Sequence, residues 1–451
     1  MSRPAVVWFR RDLRLHDLPT LLSASDAADE AVALFVLDDA LLRPSGPRRR
    51  AFLTNCLRAL DDDLGGRLLV AQGDPATVVP AVVREFDAAE VHISSDHGPY
   101  GTRRDEAVAE ALRDVPLVAT GSPYAVTPGR VTKPDGSPYK VFSAFRRAWS
   151  EHGWHSPAVT GADTIGWIDP GDTGLRVPVP EATVDSLPPA GEKAALRRWR
   201  EFRDGTLDRY ATDRDRPAFD GTSGLSPYLK FGCIHPRTLL HDLRDRNNDG
   251  AVTFRSELAW RDFYADVLFH RPETARTNYN ADFDAITYDS GPDADELFAA
   301  WCEGRTGFPI VDAGMRQLLA EGVMHNRVRM IVASFLTKDL HLPWWRGARH
   351  FMRCLVDGDL ASNQHNWQWT AGCGTDAAPY FRVFNPTRQG EKFDPTGEYV
   401  RRWVPELRNV EGSRVHSLPD GPPEGYPEPI VDHAHERRVA LDRYARIRPP
   451  R

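Results

Sequence analysis

The first 120 residues alternate short apolar segments with amphipathic ones, and this alternation constrains the fold more than any other feature of the chain. Apolar runs predict β-strands at residues 5–9, 31–37, 67–70, 90–94 and 117–119. Apolar side chains at helical spacing predict helices at residues 49–64, 76–86 and 102–113. Strands that alternate with helices pair in parallel and are covered by those helices. We therefore predict an α/β domain with a five-stranded, Rossmann-like parallel sheet.

The rest of the chain follows two other patterns. Residues from about 125 to 190 are rich in Pro, Gly, Asp and Thr without a sustained period, which predicts a long connector. From residue 192 onward the spacing is helical, with helices predicted at 193–203, 236–243, 255–270, 294–303, 311–321, 325–340 and 345–356. The predicted organisation is an α/β domain at 1–125, a connector at 126–191 and an all-helical domain at 192–451.

The composition excludes several broad classes of protein. The formal charge of −7 argues against a generally basic nucleic-acid coat, although a local basic patch can still bind phosphates. Five cysteines without CxxC spacing argue against a disulfide framework or a structural zinc site. The chain has no run of 18 apolar residues, so we expect a cytoplasmic protein that does not associate with membranes.

Residues 221–232 (GTSGLSPYLKFG) place glycines and hydroxyl side chains just before a predicted helix. Such a turn can hold a phosphate, but it can equally be an ordinary capped loop. GxGxxG and GxxxxGK[ST] patterns are absent from the sequence, which excludes a standard dinucleotide or P-loop site.

Two further groups of polar residues have suggestive spacing. Glu257, Trp260, Arg261 and Tyr264 fall on one helical face, which suits either a cavity for a flat polar ligand or a partly exposed surface. Asp357 and Asp359 form a carboxylate pair that suits a ribose or an arginine. We do not expect a metal there, because no third ligand stands at a recognisable spacing.

Four of the twelve tryptophans, Trp344, Trp345, Trp367 and Trp369, fall within 26 residues. This concentration exceeds what the packing of a core ordinarily requires. Indole rings stack on nucleic-acid bases, and they are the most readily oxidised aromatic side chains. The cluster therefore indicates base stacking, electron transfer or both.

Eight segments of the chain, in their order, resemble the photolyase and cryptochrome family. They are 7–14 (VWFRRDLR), 139–145 (YKVFSAF), 222–226 (TSGLS), 260–264 (WRDFY), 306–309 (TGFP), 324–327 (MHNR), 357–361 (DGDLA) and 375–380 (TDAAPY). The resemblance implies an N-terminal antenna domain and a helical FAD-binding domain. Within the family, the segment at 324–327 is similar to the cyclobutane-dimer enzymes, most like class I, rather than to the (6-4) enzymes, which carry a histidine pair there.

The resemblance also implies contacts with FAD. The positions matched to the flavin phosphates are Tyr210, Thr222, Ser223, Leu225 and Ser226, whereas Gly224 stands where the family often has Arg. Arg261 belongs to the same cofactor-binding set. Arg329 is expected to pair with Asp357, Asp359 to contact the isoalloxazine edge, and Asn363 to face flavin N5.

A second set of matched positions implies contacts with UV-damaged DNA. A flipped-out dimer is expected between Trp260 and Trp369, with Glu257, Asn326 and Met330 around it. Arg214, Arg327 and Gln389 match positions that hold the DNA strand. The implied activity is light-driven: excited, reduced, anionic FAD gives an electron to the dimer, two C–C bonds break, and the electron returns. A protonated Glu257 is expected to stabilise the charge that develops on the lesion.

The resemblance extends to light-dependent electron transfer and light harvesting. Trp367 and Trp344 match the first two members of the family's photoreduction chain, and Tyr288 stands where a third tryptophan is usual. We expect slow or pH-dependent photoreduction, with Tyr288 or Trp345 as terminal donor, because tyrosine is hard to oxidise unless it also loses its proton. Residues 96–105 (DHGPYGTRRD) favour an 8-hydroxy-5-deazaflavin antenna over methenyltetrahydrofolate, at Phe35, Asp96, Tyr100 and Arg104, with an ordinary loop as the alternative.

Other functions explain the pattern less well. A cryptochrome-type blue-light signalling protein would share the fold and the flavin, but not the full set of dimer-pocket residues, and the tail after Arg438 is short. A light-independent adenylating enzyme would require a phosphate loop that is absent, and a non-catalytic DNA-binding protein would have no use for the flavin contacts. We expect a monomer without an obligate protein partner.

Overall fold

The structure, a computed structural model, describes residues 3–182, 184, 187–376 and 381–447. The chain divides into two compact units. The first comprises Met1–Asp208 and Ser223–Pro272, and the second comprises Arg209–Thr222 and Glu273–Arg451.

A parallel sheet forms the centre of the first unit, as predicted. Its strands are β1 (Ala5–Phe9), β2 (Glu30–Leu37), β3 (Leu68–Gln72), β4 (Glu90–Ile93) and β5 (Leu117–Ala119), in the order β3-β2-β1-β4-β5. A two-residue strand, β6 (Gly166–Trp167), pairs in parallel with the start of β2 and was not predicted. Every residue of β1 is buried, which is typical of a parallel sheet with both faces covered.

The helices are numbered along the chain. Those of the first unit are α1 (Pro19–Ala27), α2 (Asp39–Leu42), α3 (Pro47–Asp63), α4 (Pro75–Glu85), α5 (Pro99–Leu112), α6 (Phe142–His152), α7 (Glu192–Gly205), α9 (Ser226–Phe231), α10 (Pro236–Asp242) and α11 (Asp249–His270). Short 3₁₀ helices span Leu207–Arg209, Pro272–Ala275, Ala281–Ala285, Pro405–Leu407 and Gly412–His416.

The second unit is helical. Its helices are α8 (Tyr210–Asp213), α12 (Pro292–Glu303), α13 (Pro309–Glu321), α14 (Asn326–Lys338), α15 (Trp344–Cys354), α16 (Leu360–Ala371), α17 (Pro386–Phe393), α18 (Glu398–Trp403) and α19 (His433–Ile447). All seven helices predicted between residues 193 and 356 are present, in one unit or the other, within a few residues of the predicted bounds. Helix α16 was not predicted, although it carries three of the predicted site residues.

The connector prediction was wrong in one respect, because residues 126–191 contain helix α6 and strand β6. Phe145 and Trp149 of α6 are buried, and the indole N–H of Trp149 donates to Oδ2 of Asp262 on α11 at 3.0 Å. The same oxygen accepts a hydrogen bond of 3.0 Å from the backbone N–H of Val126. Asp262 therefore attaches both the start of this segment and helix α6 to α11.

None of the helices in the described ranges is long and apolar enough to cross a membrane.

The buried Asp262 carboxyl makes the stability of the first unit depend on pH. Burial raises its pKa from 3.8 to about 6, so the folded protein holds a proton that the unfolded chain has lost. This stabilisation is present below about pH 4 and is lost as the pH rises through 6. Asp262→Asn keeps the acceptor oxygen without titrating. Between pH 4 and pH 7 we expect its free energy of unfolding to rise relative to wild type by up to about 3 kcal/mol.

Denaturant unfolding at the two pH values measures this difference. The exposed Asp172→Asn is the matched control and should show no such trend. The prediction would be contradicted if the free energies of unfolding of Asp262→Asn and wild type differed by the same amount at both pH values.

Candidate functional site

The two carboxylates before α16 have different partners. Asp357 is buried, and its Oδ2 atom accepts a hydrogen bond of 2.9 Å from Nη2 of Arg329. Arg329 also donates from Nε to the carbonyl oxygen of Met324 at 2.8 Å, which fixes the direction of its guanidinium group. Asp359 caps α16 by accepting from the backbone N–H of Ser362 at 3.1 Å. The predicted pairing of Arg329 with Asp357 is confirmed.

One turn into α16, the amide of Asn363 is oriented by its neighbours. Its Nδ2 atom donates to the carbonyl oxygen of Ala348 at 3.1 Å and to Oε1 of Gln364 at 2.8 Å. Both amide hydrogens are therefore used within the protein. The amide oxygen is left to accept a hydrogen bond from a bound group.

Trp367 lies in the core of the second unit, against α15. A Cβ atom at Gly347 would come within 2.2 Å of the Trp367 ring, so this position must lack a side chain. Trp301 contacts Trp367 edge-on, with ring centroids 6.1 Å apart, and donates its indole N–H to the carbonyl oxygen of Val332. The contact of Trp301 with α16 was not predicted, because nothing in the local sequence indicated it.

Trp344, Trp345 and Tyr288 form a continuous series of ring contacts. The centroids of Trp344 and Trp345 are 5.9 Å apart, and those of Trp345 and Tyr288 are 5.3 Å apart, both in edge-on geometry. Trp344 is fully buried, whereas Trp345 and Tyr288 are half-buried. The structure thus brings together the two residues predicted as alternative terminal donors.

Hydrogen bonding differs along this aromatic series. The indole N–H of Trp344 donates to Oδ1 of Asn278 at 2.8 Å, and Nδ2 of Asn278 donates to Oδ1 of Asp284 at 2.7 Å. Among the described residues, none hydrogen-bonds to the Tyr288 hydroxyl, and burial raises the pKa of this phenol. Trp344 is therefore connected to the Asp284 carboxylate through one amide, while the Tyr288 hydroxyl has no hydrogen-bond partner in the described chain, although Asp284 also acts on it through space.

The start of α14 carries a second group of predicted residues. His325 caps the helix by accepting from the backbone N–H of Arg327, and burial lowers the pKa of this imidazole to about 4. Arg327 donates to Oδ1 of Asp215 at 2.9 Å and lies 3.7 Å from the sulfur of Met330. Asn326 is exposed. Arg327 and Met330 are thus in contact.

The remaining predicted residues of the second unit are more dispersed. Trp369 is half-buried and donates its indole N–H to the carbonyl oxygen of Asp376 at 3.2 Å. The guanidinium of Arg214 lies 5.6 Å from the ring centre of Tyr210. Thr222 and Gln389 are half-buried. The last four residues of the segment at 375–380 lie outside the described residues.

The predicted phosphate turn belongs partly to the first unit, at the start of α9. The Ser223 hydroxyl accepts from the backbone N–H of Leu225 at 3.3 Å, Leu225 is buried and Ser226 is exposed. Gly224 has a φ of +63°, and a Cβ atom there would lie 3.1 Å from Nε of Arg198. Arg198, on α7, donates from Nε to the carbonyl oxygen of Ser223 at 2.9 Å. Sequence reasoning missed this arginine, which places a guanidinium group beside the turn that lacks one.

The polar face predicted on α11 is present, but its residues are used differently. The Trp260 ring stacks on Phe142 with centroids 3.6 Å apart and planes 9° apart, and Glu257 is half-buried nearby on the same helix. Arg261 donates to the carbonyl oxygens of Pro123 and Leu229 at 2.8 and 3.1 Å, and lies 4.6 Å from the ring centre of Tyr124. Its role in cofactor binding stays a prediction.

Three of the four predicted antenna residues meet beyond the carboxyl ends of the strands. Arg104 donates to Oδ2 of Asp96 at 3.3 Å, and the Tyr100 hydroxyl donates to Oδ2 of Asp38 at 2.5 Å. Burial opposes ionisation of Asp96, but Arg11 and Arg104 outweigh it and hold its pKa below the usual value. Phe35 is buried in β2. This edge lies where the strand order reverses between β1 and β4, the usual ligand position in open α/β sheets.

Comparison with known proteins covers both ends of the chain. Residues 5–161 match the DNA photolyase family, and residues 254–446 match the FAD binding domain of DNA photolyase. The deoxyribodipyrimidine photo-lyase of Streptomyces griseus is 44% identical over 453 residues, covering 96% of this chain and 97% of that protein. The Thermus thermophilus protein of the same name is 40% identical, covering 98% of each. The chain belongs to the DNA photolyase family.

Solved structures agree with this membership of the photolyase family. A class III photolyase from Agrobacterium tumefaciens has a TM-score of 0.91 and 37% identity, covering 100% of this chain and 98% of that chain. A cryptochrome from Synechocystis has a TM-score of 0.88 and 28% identity, covering 97% and 98%. The family fold, with a parallel sheet in the N-terminal part and a helical FAD-binding C-terminal part, is confirmed.

The residues around Asp357 fit the FAD that the family binds. Oδ1 of Asp357 is buried and accepts no hydrogen bond from the described chain. A buried acceptor without a partner costs about 1–3 kcal/mol, and a bound group with N–H or O–H donors would remove that cost. The half-buried Asn363 has both amide hydrogens donated within the protein, so its amide oxygen can accept a hydrogen bond from such a group as well. An unpartnered oxygen of Asp357, whose other oxygen binds the Arg329 guanidinium, suits the polar edge of a flavin ring.

Arg198 provides a test of the turn at residues 222–226. If its guanidinium replaces the arginine missing at Gly224, Arg198→Gln removes one charge-assisted hydrogen bond to a phosphate, worth about 1.5–3 kcal/mol. We expect at least a tenfold weaker affinity for FAD, measured by flavin fluorescence during titration of the apoprotein. Arg200→Gln, an exposed change on the same helix, is the control. Equal affinities for the two variants would remove Arg198 from the site.

Proposed function

We infer that the chain is a deoxyribodipyrimidine photo-lyase that binds UV-damaged DNA and repairs it with light, using FAD. Full-length similarity to proteins of that name carries the inference, because it includes both family segments and not the FAD-binding part alone. A cryptochrome shares the fold, so the fold alone does not separate repair from signalling. The relatives named photo-lyase reach 44% identity, against 28% for the cryptochrome, which favours repair.

We propose that the lesion is a cyclobutane pyrimidine dimer. At the position where (6-4) enzymes are expected to use histidine as an acid, the His325 pKa of about 4 leaves only about one imidazole in a thousand protonated at pH 7. An imidazole that caps a helix and stays neutral is poorly suited to donate a proton. The class I assignment stays a prediction, since the A. tumefaciens structure, similar over its whole length, is a class III photolyase.

When bound, reduced anionic FAD supplies on illumination the electron that opens the cyclobutane ring. We propose that the chain holds the phosphates through Tyr210, Thr222, Ser223, Leu225 and Ser226. Arg329, Asp357 and Asp359 would bind the ring edge. Asn363 would accept a hydrogen bond from the ring through its amide oxygen, since its amide hydrogens are already donated within the protein.

We propose that the residues matched to the lesion contacts bind the flipped-out dimer. Phe142 covers one face of the Trp260 indole at 3.6 Å, so a base would stack on the opposite face. Trp369 would provide the second stacking surface, with Asn326 and Met330 beside it. Glu257 would donate a hydrogen bond where negative charge develops on the opening ring, a preorganised contact of the oxyanion-hole type. Arg214, Arg327 and Gln389 would contact the strand.

Illumination of the purified holoenzyme with dimer-containing oligothymidylate tests the proposed function. We expect the absorbance of the thymine bases near 260 nm to recover in near-UV or blue light and to stay unchanged in the dark. Glu257→Gln, which can still donate a hydrogen bond, should retain more repair than Glu257→Leu. Flavin-loaded protein that leaves all dimers intact in light would instead support the signalling function.

The ring contacts from Trp344 to Tyr288 support the proposed route of photoreduction. We expect Tyr288→Phe to slow the reduction of bound flavin under illumination with an added reductant, because phenylalanine cannot be oxidised under these conditions. In wild type the rate should increase with pH, because an external base must accept the tyrosine proton. Absorbance near 450 nm follows the reaction.

Trp345→Phe is the comparison that separates the two donors. A slower rate in Trp345→Phe with a wild-type rate in Tyr288→Phe would assign the terminal position to Trp345. Wild-type rates in both variants would contradict the route.

We further propose a second, light-harvesting chromophore of the 8-hydroxy-5-deazaflavin type, supported by the convergence of Asp96, Tyr100 and Arg104 at the edge of the sheet. A relative from Sulfolobus tokodaii contains two FAD molecules, so other chromophores occupy the family's structures. We propose residues 1–125 as the antenna domain, 126–191 as the connector and 192–451 as the catalytic domain. The protein would act as a cytoplasmic monomer without an obligate protein partner.

A further inference from the structure

A groove of about 620 Å³ lies on the second unit between α17 and α19. Arg388 and Gln389 line it from α17, and Arg437 and Arg438 line it from α19. Asn385 and His433 lie at the starts of these helices. The groove contains three guanidinium groups, and its lining includes no carboxylate.

The three arginines of this groove are only partly balanced by acidic groups, since the Asp432 carboxylate interacts electrostatically with Arg438. Arg388, Arg437 and Arg438 are exposed, and their side chains make no ion pair or hydrogen bond with any described residue. Some other arginines of the same unit are paired with carboxylates: Arg316 with Glu406 at 2.7 Å, and Arg443 with Asp289 at 2.7 Å. Concentrated positive charge of this kind attracts a polyanion, even on a chain whose total charge is −7.

The starts of the two helices do not themselves offer an anion site. Oδ1 of Asn385 accepts from the backbone N–H of Arg388, and Asp432 accepts from the backbone N–H groups of Ala434 and His435. These carboxylate and amide caps already satisfy the first N–H groups. Any anion in the groove must therefore be bound by the arginine side chains, which reach it from two different helices.

We propose that this groove binds the phosphate backbone of DNA outside the damaged base pair. The proposal rests on the proposed function, which supplies the polyanion, and it extends the DNA contact surface to the C-terminal helix. Arginines that contact only phosphates do not discriminate between DNA sequences, because sequence is read at the edges of the bases. The groove would therefore add affinity for damaged and undamaged DNA alike, and its contribution would fall steeply with salt.

The dependence of DNA affinity on salt tests the groove. Each arginine that contacts a phosphate contributes about 0.9–1 to the slope of log affinity against log salt concentration. For the double variant R437Q/R438Q we expect the slope of the holoenzyme to fall by about two, on both undamaged and dimer-containing duplexes. Arg388→Glu, on the other helix, should lower the slope and the affinity as well, so the result does not depend on one substitution.

The double variant R408Q/R446Q is the matched control. Both arginines are exposed and outside the groove, and Arg446 lies on α19, so this variant loses the same charge but should keep the wild-type slope. Equal slopes for the groove variants and the control would overturn the proposal. A second outcome would also overturn it: the R437Q/R438Q substitutions weaken the binding of polyglutamate but leave the affinity for DNA unchanged. The groove would then bind an acidic protein and not DNA.

Failure of the groove is distinguishable from failure of the proposed function. Wild-type protein that repairs dimers in light, combined with unchanged slopes in the groove variants, would overturn the groove alone. Wild-type protein that repairs nothing would overturn the proposed function, whatever the slopes.

Discussion

The candidate site of the second unit depends on a set of buried hydrogen bonds between α16 and the segment that precedes α12. Gln364 and Gln368 donate to the carbonyl oxygens of Ala275 and Thr274 at 2.6 and 2.7 Å, and Gln368 accepts from the backbone N–H of Tyr279 at 2.7 Å. Buried polar groups left without partners would cost about 1–3 kcal/mol each. The pairing therefore fixes both the rotation of α16 and the path of the segment beside it.

The positions of the aromatic residues follow from this constraint. Asn278 lies in the fixed segment, where it accepts from the Trp344 indole. On α16, the same rotation that buries Gln364 and Gln368 directs Trp367 against the bare backbone of Gly347 and leaves Asn363 half-buried. One polar interface thus positions the predicted electron carriers and the predicted flavin contact together, and a substitution at Gln368 would disturb all of them.

The same interface explains which parts of the structure could be predicted. Strand β1 is a continuous apolar run and helix α15 has apolar residues at helical spacing, so the bounds of both followed closely from the sequence. Helix α16 buries glutamine and histidine as well as tryptophan, so it lacks an apolar stripe, and its stability comes from partners that are distant in sequence. Helix α6 was missed for a related reason, because its attachment depends on Asp262, more than 100 residues away.

Site residues divide in the same way. Arg329 and Asp357 were paired correctly because the family resemblance implied their contact, and both positions lie in or beside a matched segment. Three residues were missed because each makes a contact with a residue distant in the sequence, which no local pattern indicates. Trp301 contacts Trp367 edge-on, Asn278 accepts from the Trp344 indole, and Arg198 donates to the turn at Gly224.

The hydrogen bonds along the aromatic series set where a positive charge would be most stable. An oxidised indole holds its N–H proton more weakly, and at Trp344 that proton is directed at Asn278, which Asp284 orients. At Tyr288 the described chain offers no hydrogen-bonded acceptor, although phenol oxidation requires loss of the proton. Charge is therefore stabilised at the buried end of the series by the protein itself, whereas at Tyr288 it depends on solvent to accept a proton. This asymmetry gives a physical reason for a rate that varies with pH at the outer end and not at the inner one.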